Sequence, residues 1–318
     1  MHARLTAGAS GGRNATRRNA AQRGAKRVNR LSDRVVVQSD LPATPLTWRV
    51  VESEGQGNAD TYTHGHSDPV LASHRWRTAE NSAAYLLGSL RSGMSLLDVG
   101  CGPGTLTADL AEKVSPGPTV GIDREPSVLA EAASRAPSVR FEVGDVYRLR
   151  FGDGSFDAVH GHQVLQHLSR PVAALSEMRR VLRPQGVLAV RDAVYAAFTW
   201  YPDDDHLAYW RSVYQAVCER NGADSNAGRK LPSHVTAAGF EDLRVSSSTW
   251  TMADEASRAF WGATWARRCV ESDFASQAVR YGLATVRDME RMAEAWSRWA
   301  GTPDAVFVVV HVEVLASR

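Results

Sequence analysis

The sequence predicts an α/β protein: a doubly wound, Rossmann-like, mostly parallel seven-stranded sheet with a final antiparallel strand and a helical C-terminal cap. Three observations predict it. From Leu86 onward short aliphatic runs alternate with stretches of helical periodicity, the rhythm of right-handed βαβ units. The first of these runs ends in a glycine-rich turn that opens a helix. The last, Ala305 to Leu315, reads as a final long strand.

The elements follow in order. Ser95–Gly100 (SLLDVG) reads as a buried strand, and the helix after it carries Leu106 and Leu110 on one face. Thr119–Asp123 is a second strand, and Pro126 stands at the first helical position that proline favours. Val139–Val143 and Phe156–Gly161 supply the third and fourth strands. A helix from near Pro171 aligns Val172, Leu175, Met178, Val181 and Leu182, Arg183-Pro184-Gln185-Gly186 stops it, and Val187–Arg191 makes the fifth strand. Residues 195–238 and 253–301 read as mostly helical, with Val245–Thr251 as a strand between them; residues 62–93 read as a helical approach to the sheet. The expected division is a basic tail over 1–45, disordered, and one domain over 46–318, with a helical lid at 60–93, a ligand-binding core at 94–194 and cap insertions at 195–238 and 253–301.

Composition narrows the function classes. The longest apolar run is six residues, Ala305–Val310, far below the ~20 a membrane span needs. Three widely spaced cysteines, Cys101, Cys218 and Cys269, form neither a disulfide framework nor a zinc pattern, which points to a reducing, cytoplasmic setting. The net charge of +2 conceals an asymmetry. Residues 1–34 hold nine Lys or Arg against one acid, Asp33, while the remaining 284 residues hold 28 basic and 34 acidic side chains, a net of −6. An acidic body disfavours nucleic acid as a partner, because phosphate binding needs positive surface around the site itself.

The turn Asp98-Val99-Gly100-Cys101-Gly102-Pro103-Gly104 lies where doubly wound sheets bind ligands, at a strand's carboxyl end. A dinucleotide fingerprint would place glycine at 105, where Thr105 stands, and no Gly-Lys-Ser/Thr closes a phosphate loop. NAD and ATP are disfavoured. Asp123, 19 residues after Gly104, closes the second strand, where a carboxylate can accept from both hydroxyls of a ribose. Asp145 follows the third strand, placed to accept from an adenine amino group, and Asp98 can face the amino group of an amino-acid moiety. Acids at three successive strand ends suit a ligand with a ribose, an adenine and a positive centre.

The runs LLDVGCGPGTLT, VGID, VRFEVGDVYRLRF, FDAVHGHQVLQHL and MRRVLRPQGVLAV, in that order, resemble class I S-adenosylmethionine-dependent methyltransferases. The branch resembled includes the ubiquinone/menaquinone-biosynthesis enzymes, over roughly residues 60–318. The resemblance implies S-adenosylmethionine as cofactor, Gly100, Gly102 and Gly104 lining it, Asp123 with neighbouring Arg124 at the ribose, and Asp145 with Val146 at the adenine. It also implies that Tyr62 and the segment Ser73–Arg77, Arg77 included, belong to N-terminal helices that fold over the cofactor. Gln185 departs from the usual glycine. The long helical stretch between Thr251 and Ala305 departs from the usual short connection, and acceptor contacts are expected from it.

The best candidate base is His162, at the end of the fourth strand and on one face with His160; His162 is equally placed to pack beside the cofactor's methionine portion. His167 reads as structural. His64 and His66 have the look of a ligand pair without a third ligand, and so read as lid contacts. Seven of the nine tryptophans lie at position 200 or later. Most are expected to pack the cap, and the rest, with Tyr201 and Phe260, to form an apolar slot for an aromatic or polyketide-like acceptor. Asp203-Asp204-Asp205 is expected to start a helix. The expected activity is methyl transfer to O or C of a small aromatic or apolar metabolite. RNA or protein methylation using the basic tail, and cofactor binding without turnover, are the alternatives. Homo-oligomerisation stays open.

Overall fold

The computed structural model describes residues 60–318, within a unit spanning Gln56–Arg318. The expected tail over 1–45 lies outside the described residues. Short helices α1 (Asp68–Arg75), α2 (Ala79–Ser82) and α3 (Ala84–Leu87) lead into the sheet. Strands β1 (Leu96–Val99), β2 (Thr119–Asp123), β3 (Arg140–Val143), β4 (Phe156–His162) and β5 (Leu182–Ala193) then run parallel in the order β3-β2-β1-β4-β5. Every residue of β1 is buried, as a strand covered on both faces requires. Helices α4 (Thr105–Val114), α5 (Pro126–Arg135) and α6 (Pro171–Val181) make the crossovers. α6 turns Ala174, Leu175, Met178 and Val181 inward, the spacing of one apolar stripe.

Among the described residues the strand count is eight, not seven. The extra strand, β6 (Thr199–Tyr201), is only three residues long and sits where the sequence reads as helical. Its periodicity is too short to register. The long last strand β8 (Val306–Ser317) runs antiparallel to β5, β6 and β7 (Glu241–Met252). Val308 pairs with Thr199 of β6 and with Thr251 of β7. Thus β7 takes one edge of β8 while β5 and β6 share the other. The strand β5 also begins before the expected Val187. Leu182 already pairs with Phe156, and the register jumps to Val187 opposite Ala158. Arg183, Pro184 and Gln185 bulge outward between them, exposed, with Gln185 at φ +65°.

After α7 (Asp205–Arg220), helix α8 (Leu231–Ala237) packs Leu231 and Val235 into the parallel-strand core, and the cap combines α7 with α9 (Glu255–Glu271), α10 (Asp273–Arg280) and α11 (Val286–Ala300). Asp204 caps α7, accepting from the His206 and Leu207 amides, so the acidic run does start a helix. Trp210, Trp265, Trp296 and Phe307 are fully buried in one cluster that joins these helices to the outer half of β8. Trp210 meets Trp265 and Trp296 edge-on at 4.5 and 4.8 Å between centroids, the arrangement the ring quadrupoles favour. Separate clusters fill the two faces of the parallel strands.

Candidate active site

A cavity of about 390 Å³ opens at the carboxyl ends of β1, β2 and β4. Its floor is Gly100, Gly102, Asp123, Gly144 and Val146, its lid Tyr62, His64, His74 and Arg77, and its far wall Tyr195, Phe198, Trp250, Trp261, Trp265 and Arg268. Strand order reverses at β1, with β2 on one side and β4 on the other, so the opening lies at the topological switch point.

The three loop glycines differ in what they do. All have positive φ, +69°, +52° and +75° for Gly100, Gly102 and Gly104. A Cβ on Gly100 would strike Val164 at 2.5 Å, and one on Gly104 would strike Ala132 at 2.7 Å. Those two serve packing. A Cβ on Gly102 would meet nothing closer than His74 Nδ1 at 3.6 Å, so its bare backbone faces open cavity. Asp123 braces the loop: Oδ2 accepts from the Gly102 amide and Oδ1 from the Glu125 amide, both at 3.0 Å. Each carboxylate oxygen keeps a second lone pair. Arg124 lines the cavity and donates to the Asp60 carbonyl at 3.0 Å.

Asp98 lines the cavity with both oxygens engaged, Oδ1 with His160 Nδ1 at 2.7 Å and Oδ2 with the Thr107 hydroxyl at 2.5 Å. His160 is thus a partner beneath the loop. His162 enters the cavity, buried, and neither ring nitrogen has a hydrogen-bond partner among the described residues. Burial first, then the cations Arg77 and Arg191, hold its pKa well below the usual 6.5, so the ring is neutral near neutral pH. Gln163, at φ +54°, stands beside it. Its Oε1 accepts from Arg77 at 2.6 Å while its Nε2 donates to His311 at 2.8 Å, tying the lid to β8.

Most of the expected site residues converge. Tyr62, Arg77, Asp98, Gly100, Gly102, Asp123, Arg124, Val146 and His162 all line the one cavity. Gly104 packs against α5 instead, and Asp145 turns to the Tyr147 amide at 2.9 Å, outside the lining, leaving Gly144 and Val146 facing in. His167, read as structural, lines the cavity and meets the Tyr62 ring edge-on at 4.8 Å. His64 stacks on Tyr214 and shares a hydrogen bond with its hydroxyl at 2.8 Å, and His66 lies 3.9 Å from Glu125. Both line the cavity from the segment before α1.

Two of the side chains expected to wall an apolar slot lie away from the cavity. Tyr201 is exposed and Phe260 stacks on Trp76, away from the lining. Tyr195 and Phe198 take those places, because the turn after β5 folds back under the cap. Gln163 and Arg268 were also missed. Arg268 had a signal in its spacing, seven and three residues after Trp261 and Trp265; Gln163 had only its place at a strand end.

The methyltransferase-domain family profile matches residues 90–249. An uncharacterized methyltransferase of Schizosaccharomyces pombe is 33% identical over 278 residues, 81% of this chain and 96% of that protein. The chain belongs to the class I S-adenosylmethionine-dependent methyltransferases. A demethylmenaquinone methyltransferase of Beutenbergia cavernae is 42% identical over 139 residues, 44% of this chain and 55% of that one. The YcgJ protein of Bacillus subtilis shares the fold at TM-score 0.51 and 16% identity, over 75% of this methyltransferase and 98% of that chain. The cofactor of this methyltransferase is S-adenosylmethionine, which supplies an electrophilic methyl group on a sulfonium.

Proposed function

We propose that this methyltransferase delivers the methyl group to an oxygen or carbon of a small aromatic or apolar metabolite. One observation carries the reading: the cavity wall opposite the glycine loop is built from Tyr195, Phe198, Trp250, Trp261 and Trp265. Flat rings on several sides favour a planar acceptor and exclude water from the reacting centre. Relatedness to a demethylmenaquinone methyltransferase supports an aromatic ring among the acceptors.

The residues present fit the cofactor. The open side of Gly102 leaves room for close approach, Asp123 keeps lone pairs for two ribose hydroxyls, and Val146 offers an apolar edge to adenine. Arg77, whose Nε has no hydrogen-bond partner among the described residues, suits the carboxylate of the methionine portion, with Tyr62 beside it under the lid. Burial pushes the Tyr62 phenol up to about 12, so it remains a neutral donor. At the far end His162, neutral and unpartnered, accepts a hydrogen bond from an acceptor hydroxyl and fixes its direction. Orientation can supply ~7–11 kcal/mol against roughly 3–5 kcal/mol for a general base. Placement by the aromatic wall therefore outweighs proton removal.

Calorimetry with S-adenosylmethionine, S-adenosylhomocysteine and NAD, followed by mass spectrometry of a phenol and enol panel, tests the reading. The first two ligands bind, NAD does not, and an aromatic acceptor gains the mass of one methylene. Methylation confined to RNA or protein would overturn it.

A further inference from the structure

We propose that Arg268 anchors an acidic group on the methyl acceptor, so that the substrate is an aromatic or apolar carboxylic acid. This rests on the acceptor slot described under the proposed function and names its chemistry further.

Arg268 is 4% exposed and lines the cavity from α9, on the same helical face as Trp261 and Trp265. All its hydrogen bonds go to neutral groups. Nε donates to the Pro69 carbonyl at 3.3 Å, and Nη2 donates to the Val70 carbonyl at 3.1 Å and to the Ser73 hydroxyl. Nη1 makes no hydrogen bond, and no carboxylate lies within ion-pair distance, among the described residues. The adjacent Arg267 points outward and pairs with Glu271 and Asp68. Buried Arg191 pairs with Glu313 at 3.2 Å. The inward-facing Arg268 has no such counter-ion.

A guanidinium stays protonated even where burial lowers its pKa. A desolvated charge is tolerated when a partner completes it. The acids that line the cavity are committed to the glycine-loop end. Asp98 serves His160 and Thr107, Asp123 the Gly102 and Glu125 amides, Asp60 the Ser169 amide and the Tyr147 hydroxyl, and Glu125 the Ser127 amide, with His66 3.9 Å away. The cofactor carries one carboxylate against a sulfonium and an ammonium, so its binding adds positive charge. Arg77 takes that carboxylate in the assignment above. The charge at Arg268 is then left for the acceptor. The Trp265 ring packs 4.9 Å from the guanidinium carbon, and with Nε and Nη2 engaged the two N–H donors of Nη1 are left for a carboxylate oxygen.

The test uses the full chain loaded with S-adenosylhomocysteine and titrated with cinnamate and indole-3-acetate, each beside its primary amide. On the wild type the acids bind about tenfold or more tightly than the amides. Arg268→Gln removes that preference while retaining amide binding, Arg268→Lys keeps part of it, and S-adenosylhomocysteine affinity stays within about threefold in both. Equal binding of acid and amide by the wild type overturns this inference alone. A tenfold or larger loss of S-adenosylhomocysteine affinity (about 1.4 kcal/mol) in Arg268→Gln also overturns it, since the guanidinium then serves the cofactor. Binding of neither acid nor amide overturns the aromatic slot as well. Should Arg268→Gln fail to fold, the wild-type comparison and the Lys variant still decide.

Discussion

Asp123 carries two duties on one carboxylate. It ties the Gly102 and Glu125 amides together and offers its remaining lone pairs to the cavity. Asp123→Ala is expected to weaken S-adenosylhomocysteine binding by about 10–100-fold, the worth of one or two hydrogen bonds to a charged acceptor. Calorimetry reads it, and unchanged affinity would remove the ribose assignment. His162 makes a different prediction. Its pKa lies well below 6.5, with burial as the main cause, so it is deprotonated throughout the neutral range. The kcat of the wild type should therefore be flat above about pH 6, and His162→Ala should lower kcat by less than the ~10²–10⁴ a general base contributes. A kcat that rises through pH 6.5, with the rise abolished in the variant, would assign His162 as a titrating base instead. Both residues were legible in the sequence because each ends a strand at the ligand-binding edge. Gln163 was not, because nothing local announces that its amide joins Arg77, 86 residues before it, to His311, 148 residues after it.

Helix α9 sets the cap. Its inner face carries Trp261, Trp265 and Arg268 into the cavity, while Gly262 lets α11 come close. A Cβ at Gly262 would lie 2.5 Å from the Ala300 Cβ and 2.9 Å from the Trp296 carbonyl. Gly262→Ala is worth up to about 1 kcal/mol in helix propensity, but overpacking costs about 1–3 kcal/mol. The clash wins because one contact is backbone, and urea denaturation should show a net loss of stability. Trp210→Ala, in the cluster that pins α7 to α9 and α11, should lose about 3–5 kcal/mol by the same measurement. A loss below about 1 kcal/mol would mean the cluster is loosely packed. The helices and parallel strands were readable from periodicity. The three-residue β6, and the outward bulge that lets β5 start at Leu182, were not, since a pattern of period two needs more residues than either provides.

Over the whole molecule, stability should depend steeply on acidity. His64, His74, His162, His167 and His311 have pKa values well below 6.5, burial being the main cause. Unfolded, each takes a proton as pH falls through 6.5; folded, none does. Each therefore removes about 1.4 kcal/mol of stability per pH unit below that point. Asp192, buried and pushed up to about 8, acts oppositely. It keeps its proton when folded, and its contribution is lost as pH rises toward 8. Five histidines outweigh one aspartate, so net stability falls as pH drops from about 6 to 5. Thermal melts should show Tm several degrees lower at the acid end, and a flat Tm would mean these rings are hydrated. No described helix is long and apolar enough to cross a membrane.

Sequence alone determined the βαβ order, the turn at Gly100–Gly104, the acid at Asp123 and the methyltransferase family. Each is written in residues close together along the chain, where spacing and strand ends impose the geometry. Tertiary structure decided which aromatic rings wall the cavity, which edge of β8 each strand takes, and that Arg268 faces inward beside Ser73. Those contacts join segments as much as 199 residues apart, and their geometry depends on how the cap helices pack over the sheet. No local pattern encodes that.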